Sequence, residues 1–147
     1  MNKIHESWMN LALIEARKAF RNKEVPIGAI IIKDNKIISK GYNQIELLKD
    51  ATAHAEMIAI TSASNTLNDW RLNECDIYVT LEPCAMCAGA IINSRIKTVL
   101  FGAYDEQHGC CGSSYNLCND PKFNHQSGVH GGILNEECSY LLTSFFK

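Results

Sequence analysis

The sequence predicts a layered α/β sandwich, one mixed β-sheet with helices on both faces, and three observations lead there. An apolar stripe recurs at three- and four-residue spacing near the start. A continuous apolar run at 29–32 is followed across a turn by a second run, and helix-like and strand-like segments then alternate through the middle of the chain. The 147 residues have room for one compact core, so 1–147 is read as a single domain.

The stripe is formed by Ile4, Trp8, Leu11, Ala12, Ala16 and Ala19, which share one face of a helix expected to end near Asn22. Pro26 and Gly28 punctuate before Ala29-Ile30-Ile31-Ile32. Asp34-Asn35 separates that run from Ile37-Ile38, the pattern of a hairpin whose second strand reaches Tyr42 or Asn43. After a polar loop, Thr52 is expected to cap a helix running from Ala53 to about Ser64. Ile77-Tyr78-Val79 is a β-rich run rising to Leu81. Pro83 suits the first position of the next helix, where a missing N–H is harmless, and that helix is expected over Cys84 to about Asn93. A strand over 97–102, loops with one short helix over 105–132 and a closing helix over 134–146 follow.

Composition narrows the function classes. With 46% apolar and 20% charged residues, three prolines and nine glycines, the chain reads as an ordinary folded protein rather than a disordered or fibrous one. No apolar run is long enough to span a bilayer, and MNKIHESWMN is too polar for a secretory signal, so no membrane partner and a cytoplasmic location are expected. Seven cysteines cannot all pair internally, and in a reducing compartment metal binding or burial is their expected use. A net charge of −2 excludes a global basic field, so any RNA would have to be met by a local patch.

The chemistry concentrates in Thr52-Ala53-His54-Ala55-Glu56 and Glu82-Pro83-Cys84-Ala85-Met86-Cys87, each placed where a helix begins. Cys84 and Cys87, three apart, leave a helix on the same side and can reach one ion, for which His54 supplies a third ligand. Three protein ligands leave one position open to water, the arrangement of a catalytic zinc rather than a structural one. Glu56 lies two residues past His54, and two residues turn roughly 200° on a regular helix, so both reach one ion only if the helix is just starting there. A carboxylate beside activated water is suited to carry protons as general acid and base. Both helix starts favour thiolates at Cys84 and Cys87.

This pair of segments is shared with zinc nucleobase deaminases. The chain further resembles the bacterial tRNA-specific adenosine deaminases, of the cytidine deaminase-like superfamily, over nearly its whole length. The narrower resemblance rests on Glu24-Val25-Pro26-Ile27-Gly28-Ala29, the two zinc segments with Val79-Thr80-Leu81 and Ala88-Gly89, Ser94-Arg95-Ile96, Phe101-Gly102-Ala103, Phe123-Asn124-His125 and Phe145-Phe146. It implies a three-layer α/β/α sandwich with a five-stranded mixed sheet, a homodimer with the Cys84–Cys87 helix near its interface, and one Zn2+ per subunit on His54, Cys84 and Cys87. It implies that zinc hydroxide attacks C6 of the wobble adenosine in a tRNA anticodon stem-loop, with Glu56 protonating the ring nitrogen and the departing amine, so that ammonia leaves and inosine remains. It also implies substrate contacts from Asn43, Ile27, Ala53, Leu81 and Asp105, with Phe145 and Phe146 holding neighbouring nucleotides.

Without the resemblance, Asn43 would cap a turn at a strand end, Asp105 would be a turn residue and the two phenylalanines would close the core. Gln126 stands where an arginine often follows Asn-His in the family, which thins the electrostatic support for tRNA. Arg71, Arg95, Lys97, Lys122 and Lys147 remain candidates for a patch, although scattered surface cations are ordinarily just solvated. Cys110 and Cys111 fall in a Gly-rich loop near the expected RNA side, Cys75, Cys118 and Cys138 read as small buried hydrophobes, and His5, His108 and His130 carry no pattern. A free nucleobase or nucleoside deaminase with the same zinc core is the alternative. A non-catalytic zinc module is a second one, which the presence of Glu56 disfavours.

Overall fold

A computed structural model describes residues 3–147. The chain runs α1 (Lys3–Arg21), β1 (Gly28–Lys33), β2 (Lys36–Tyr42), α2 (Ile45–Leu48), α3 (Ala55–Leu67), β3 (Cys75–Leu81), α4 (Ala85–Asn93), β4 (Thr98–Ala103), a 3-10 turn (Leu117–Asn119), β5 (Gly128–His130) and α5 (Asn135–Phe145). The five strands form one sheet in the order β2-β1-β3-β4-β5. β1 pairs antiparallel with β2 and β3, whereas β4 lies parallel to both β3 and β5. The expected mixed sheet is therefore present, and five-stranded.

The apolar run in β1 is continuous because it is buried on both sides, and its side chains alternate between two cores. Ile30 and Ile32 join Met9, Leu13, Tyr78 and Leu100 beneath α1 and α5, while Ala29 and Ile31 join Ala59, Ile77, Val79 and Ile91 beneath α3 and α4. Two glycines set how closely the helices approach. A Cβ on Gly28 would lie 2.2 Å from the Ala12 carbonyl oxygen of α1, and one on Gly41 would lie 2.4 Å from that of Ala55 in α3. The hairpin turn places Asp34 and Asn35 at φ 52° and 60°, the double positive φ that a two-residue hairpin demands. Pairing of β1 with β2 shifts register between Ile31 and Ile32.

Two helix starts differ from expectation. Thr52 does not cap α3; its hydroxyl donates to Asp50 Oδ1, and the first N–H of the helix, Ala55, is taken by Asn43 Oδ1 at 2.9 Å. His54 is the boundary residue, with extended φ/ψ of −75° and 154°. Pro83 lies one residue before the boundary of α4, because Cys84 itself adopts the extended conformation there and its carbonyl accepts the Ala88 N–H. α3 runs past Ser64 to Leu67, ending at Asn68 in the left-handed region. Two elements had no local signal. α2 is four residues long and is held by the Glu24 carboxylate, which accepts from the N–H groups of Glu46 and Leu47; β5 is three residues long.

Candidate active site and metal centre

The site lies at the carboxyl end of β3, where α3 and α4 both begin. His54 stands just before the first helical residue of α3, so its side chain leaves from extended backbone and is free of the 200° constraint that would separate it from Glu56. Cys84 holds the same position on α4 and Cys87 lies in the first turn. His54 Nδ1 is 3.7 Å from Cys84 Sγ and 3.5 Å from Cys87 Sγ, and the three donor atoms all fall within 4.8 Å of one another. A tetrahedral zinc with Zn–S of about 2.3 Å and Zn–N of about 2.0 Å would space nitrogen and sulfur about 3.5 Å apart. The donor set fits the ion in both chemistry and separation.

The titratable groups are poised by one another. Hydrogen bonds from the Cys87 thiol, foremost, and from His54 hold Cys84 down to about 4 against the opposing effect of burial. Cys87 moves the other way, raised chiefly by Cys84 and then by burial. His54 is raised, mainly by its hydrogen bond to Cys84. Glu56 is only 4% exposed, and burial pushes its carboxyl up to about 7.

In front of these groups opens a pocket of about 340 Å³, walled by Ile27 and Leu81 and reached by His54, Glu56, Cys84, Glu82, Asp105 and His108. The structure thus brings Ile27, Leu81 and Asp105 to the pocket together with His54, Cys84 and Glu56. Asn43, 3% exposed, and Ala53, also buried, are not in its wall, and Ala53 borders a separate depression along the outer side of α3 with Thr52, Met57 and Thr61. Asn43 Oδ1 fixes the start of α3 beside His54, while its amide nitrogen donates no hydrogen bond among the described residues. Phe145 and Phe146 are not in the pocket wall; Phe145 stacks edge-on against Phe20 of α1, and Phe146 packs edge-on against Phe145 and is 69% exposed. Arg71 and Arg95 flank the exposed ring of Trp70, before the amino ends of β3 and β4, roughly 20 Å from the pocket by the length of β3.

Two pocket residues had no role in the sequence reading. His108 sits in a loop without periodicity, 3.8 Å from Asp105 Oδ1. Glu82, inside the second zinc segment and 2% exposed, gathers that loop: its Oε1 accepts from Asp105 N–H and the Ser113 hydroxyl, and its Oε2 from the N–H groups of Cys111 and Ser113. Its place directly before Pro83 was the available signal.

The MafB19-like deaminase family model matches residues 3–136. A tRNA-specific adenosine deaminase of Bacillus subtilis is 46% identical, the match covering 97% of this chain and 88% of that protein; one from Aquifex aeolicus is 49% identical, covering 97% and 93%. A solved structure from work on A-to-I editing by tRNA:A34 deaminases at the wobble position of transfer RNA superposes with a TM-score of 0.89 at 40% identity, over 92% of this chain and 99% of the other. With a His-Cys-Cys cluster, a buried carboxyl beside it and similarity along nearly its full length, the chain belongs to the MafB19-like deaminase family and, within it, to the bacterial tRNA-specific adenosine deaminases.

Proposed function

We propose that this enzyme hydrolyses the exocyclic amine of the wobble adenosine in a tRNA anticodon stem-loop, consuming water and yielding inosine and ammonia. The observation that carries the chemistry is the convergence of His54 Nδ1 and two cysteine sulfurs beside the buried Glu56 carboxyl. His54, Cys84 and Cys87 would hold one Zn2+ per subunit, and the ion would supply the Lewis acidity that makes water a competent nucleophile at neutral pH. Glu56 takes one proton from the attacking water and gives it to the ring nitrogen beside the reacting carbon, then takes the second from the hydroxyl now on that carbon and gives it to the amine, so that the C–N bond breaks, ammonia leaves and the carbonyl of inosine forms. Its burial, which raises its carboxyl toward neutrality, suits a group that must both accept and donate. Ile27 and Leu81 sandwich the base, the free amide N–H of Asn43 is available to a ring or ribose acceptor, and Asp105 stands where the nucleotide backbone passes.

The substrate reading is supported by the relatives' names and by the near-complete coverage of both chains. Phe145 and Phe146 would hold neighbouring nucleotides only as they pass the end of α5. A homodimer and a cytoplasmic location accompany this reading, and among the described residues no helix is long and apolar enough to cross a membrane. Inosine formation and ammonia release on an anticodon stem-loop with a wobble adenosine, compared with free adenosine, guanine and cytosine, test it. Turnover of the free bases alone would replace the tRNA substrate with a small one.

A further inference from the structure

Two cysteines outside the metal centre, Cys111 and Cys118, face each other. Their sulfurs lie 3.6 Å apart as a hydrogen-bonded thiol pair, buried at 3% and 0% exposure. Among the described residues no third His, Cys, Asp or Glu joins them around one ion, so the pair is not a second metal centre. Two thiols at that separation need only about 1.5 Å of further approach to reach the roughly 2.05 Å of a disulfide bond. They are also unequally acidic. The hydrogen bond from Cys111 holds the Cys118 thiol below its usual range against the opposing effect of burial, while Cys111 is raised, chiefly by Cys118 and then by burial. In such a pairing the more acidic thiol meets the oxidant and the other resolves the product.

The two backbones are anchored to different parts of the molecule. Cys118, in the 3-10 turn, accepts the N–H of Ser127 just before β5, and its sulfur rests against the Ala88 carbonyl of α4. Cys111 belongs to the loop that walls the pocket: its N–H donates to Glu82 Oε2, and Oε1 of the same carboxylate accepts from the Asp105 N–H. A packed helix and a sheet ladder resist displacement more than a loop does, so closing the bond draws Cys111 toward Cys118 and, through Glu82, moves Asp105 in the pocket wall.

We infer that Cys111 and Cys118 are a modification site, a disulfide formed by peroxide and reversed by thiols, whose closure shifts the pocket wall and lowers turnover. The lowered turnover rests on the deaminase reading proposed above; the bond itself does not. The Cys118 thiolate attacks one oxygen of hydrogen peroxide and the O–O bond breaks, leaving a sulfenic acid and a hydroxide that takes up the proton Cys118 released. The Cys111 sulfur then attacks the sulfenic sulfur and gives up its proton as the hydroxyl leaves, forming a second water. Two electrons pass from the thiols to the peroxide, and a dithiol reduces the bond by exchange, itself becoming the disulfide. Both sulfurs are enclosed within a single chain, so association of copies neither makes nor breaks the pair.

The zinc-loaded full chain is treated with hydrogen peroxide, alkylated and digested with chymotrypsin, which cuts after Tyr115 and so separates Cys111 from Cys118 unless they are bonded. A mass loss of about 2 Da and a linked peptide pair are expected in the wild type and in Cys110→Ala, absent from Cys111→Ala and Cys118→Ala, and removed by dithiothreitol. On the anticodon stem-loop, kcat/KM of the crosslinked wild type should fall about tenfold and recover on reduction with zinc content unchanged, while Cys118→Ala keeps its rate through the same treatment. Amide exchange at Asp105 should change on crosslinking, a readout that needs no substrate. Absence of the linked pair, a link through Cys110 instead, or a crosslinked protein with unaltered Asp105 exchange or unaltered kcat/KM would overturn the proposal. So would a loss of rate that Cys118→Ala shares or that follows released zinc, because it would then arise at Cys84 and Cys87. Failure of the untreated wild type to deaminate the stem-loop removes the RNA reading alone, and the linked peptides with Asp105 exchange still decide.

Discussion

Replacing Glu82 by glutamine isolates the contribution of a single buried charge to the loop that walls the pocket. The side chain keeps its shape, but one acceptor oxygen becomes an NH2 group. In the cheapest arrangement that NH2 takes the place of Oε1, the Ser113 hydroxyl turns to accept from it, and the Asp105 N–H is left facing another donor. An orphaned buried amide costs about 1–3 kcal/mol. The contacts to Cys111 and Ser113 amides at Oε2 persist as neutral hydrogen bonds and lose about 1 kcal/mol each. Relief from burying a charge offsets part of this, leaving a net destabilisation of about 2–4 kcal/mol, a large fraction of a typical domain's 5–15 kcal/mol. Urea unfolding of the zinc-loaded protein should show a lower midpoint at unchanged slope. Amide exchange should accelerate at Asp105, Cys111 and Ser113 before it does in β3. A change below about 0.5 kcal/mol, or unaltered exchange at those three amides, would refute the account of Glu82 as the loop's organiser.

Glu56→Ala is expected to reduce deamination by at least 10²–10⁴-fold while metal analysis still returns one zinc per chain, because the carboxyl moves protons and is not a ligand. Cys84→Ser or treatment with a strong chelator should abolish both zinc content and turnover, and added Zn2+ should restore the chelated wild type alone. Gly28→Ala should destabilise by about 1–3 kcal/mol or more, since the new methyl would meet backbone atoms of Ala12 and Ala16 at 2.2 and 2.4 Å, and a thermal melt reads it directly.

The convergence of His54, Cys84 and Cys87 was legible because its information is local: each segment carries its own helix start, and the order His, Glu, Cys, Cys needs no knowledge of the sheet. The puzzle of His54 and Glu56 sharing a site was also soluble from spacing, and the extended backbone at His54 is the answer. Its cap was not legible. Asn43 reaches Ala55 from the end of β2, a tertiary contact that makes Thr52's local eligibility irrelevant. The same holds for α2, whose four residues have no propensity to form a helix alone and depend on Glu24 from before β1. β5, opening with glycine and only three residues long, has too little alternation to announce itself and is recruited by the free edge of β4. Asn43 caps the start of α3 through its oxygen rather than the local turn at the end of β2, and its nitrogen is left for the substrate contact proposed above.

The margins of the sheet determine how copies of this molecule can meet. On one side β2 projects exposed Lys36 and Lys40, and its register slip against β1 disturbs the ladder that a foreign strand would have to copy. On the other, β5 offers three residues and stops. Neither border is a template for adding strands, so edge-to-edge growth, which has no natural end, is discouraged on both sides of the sheet.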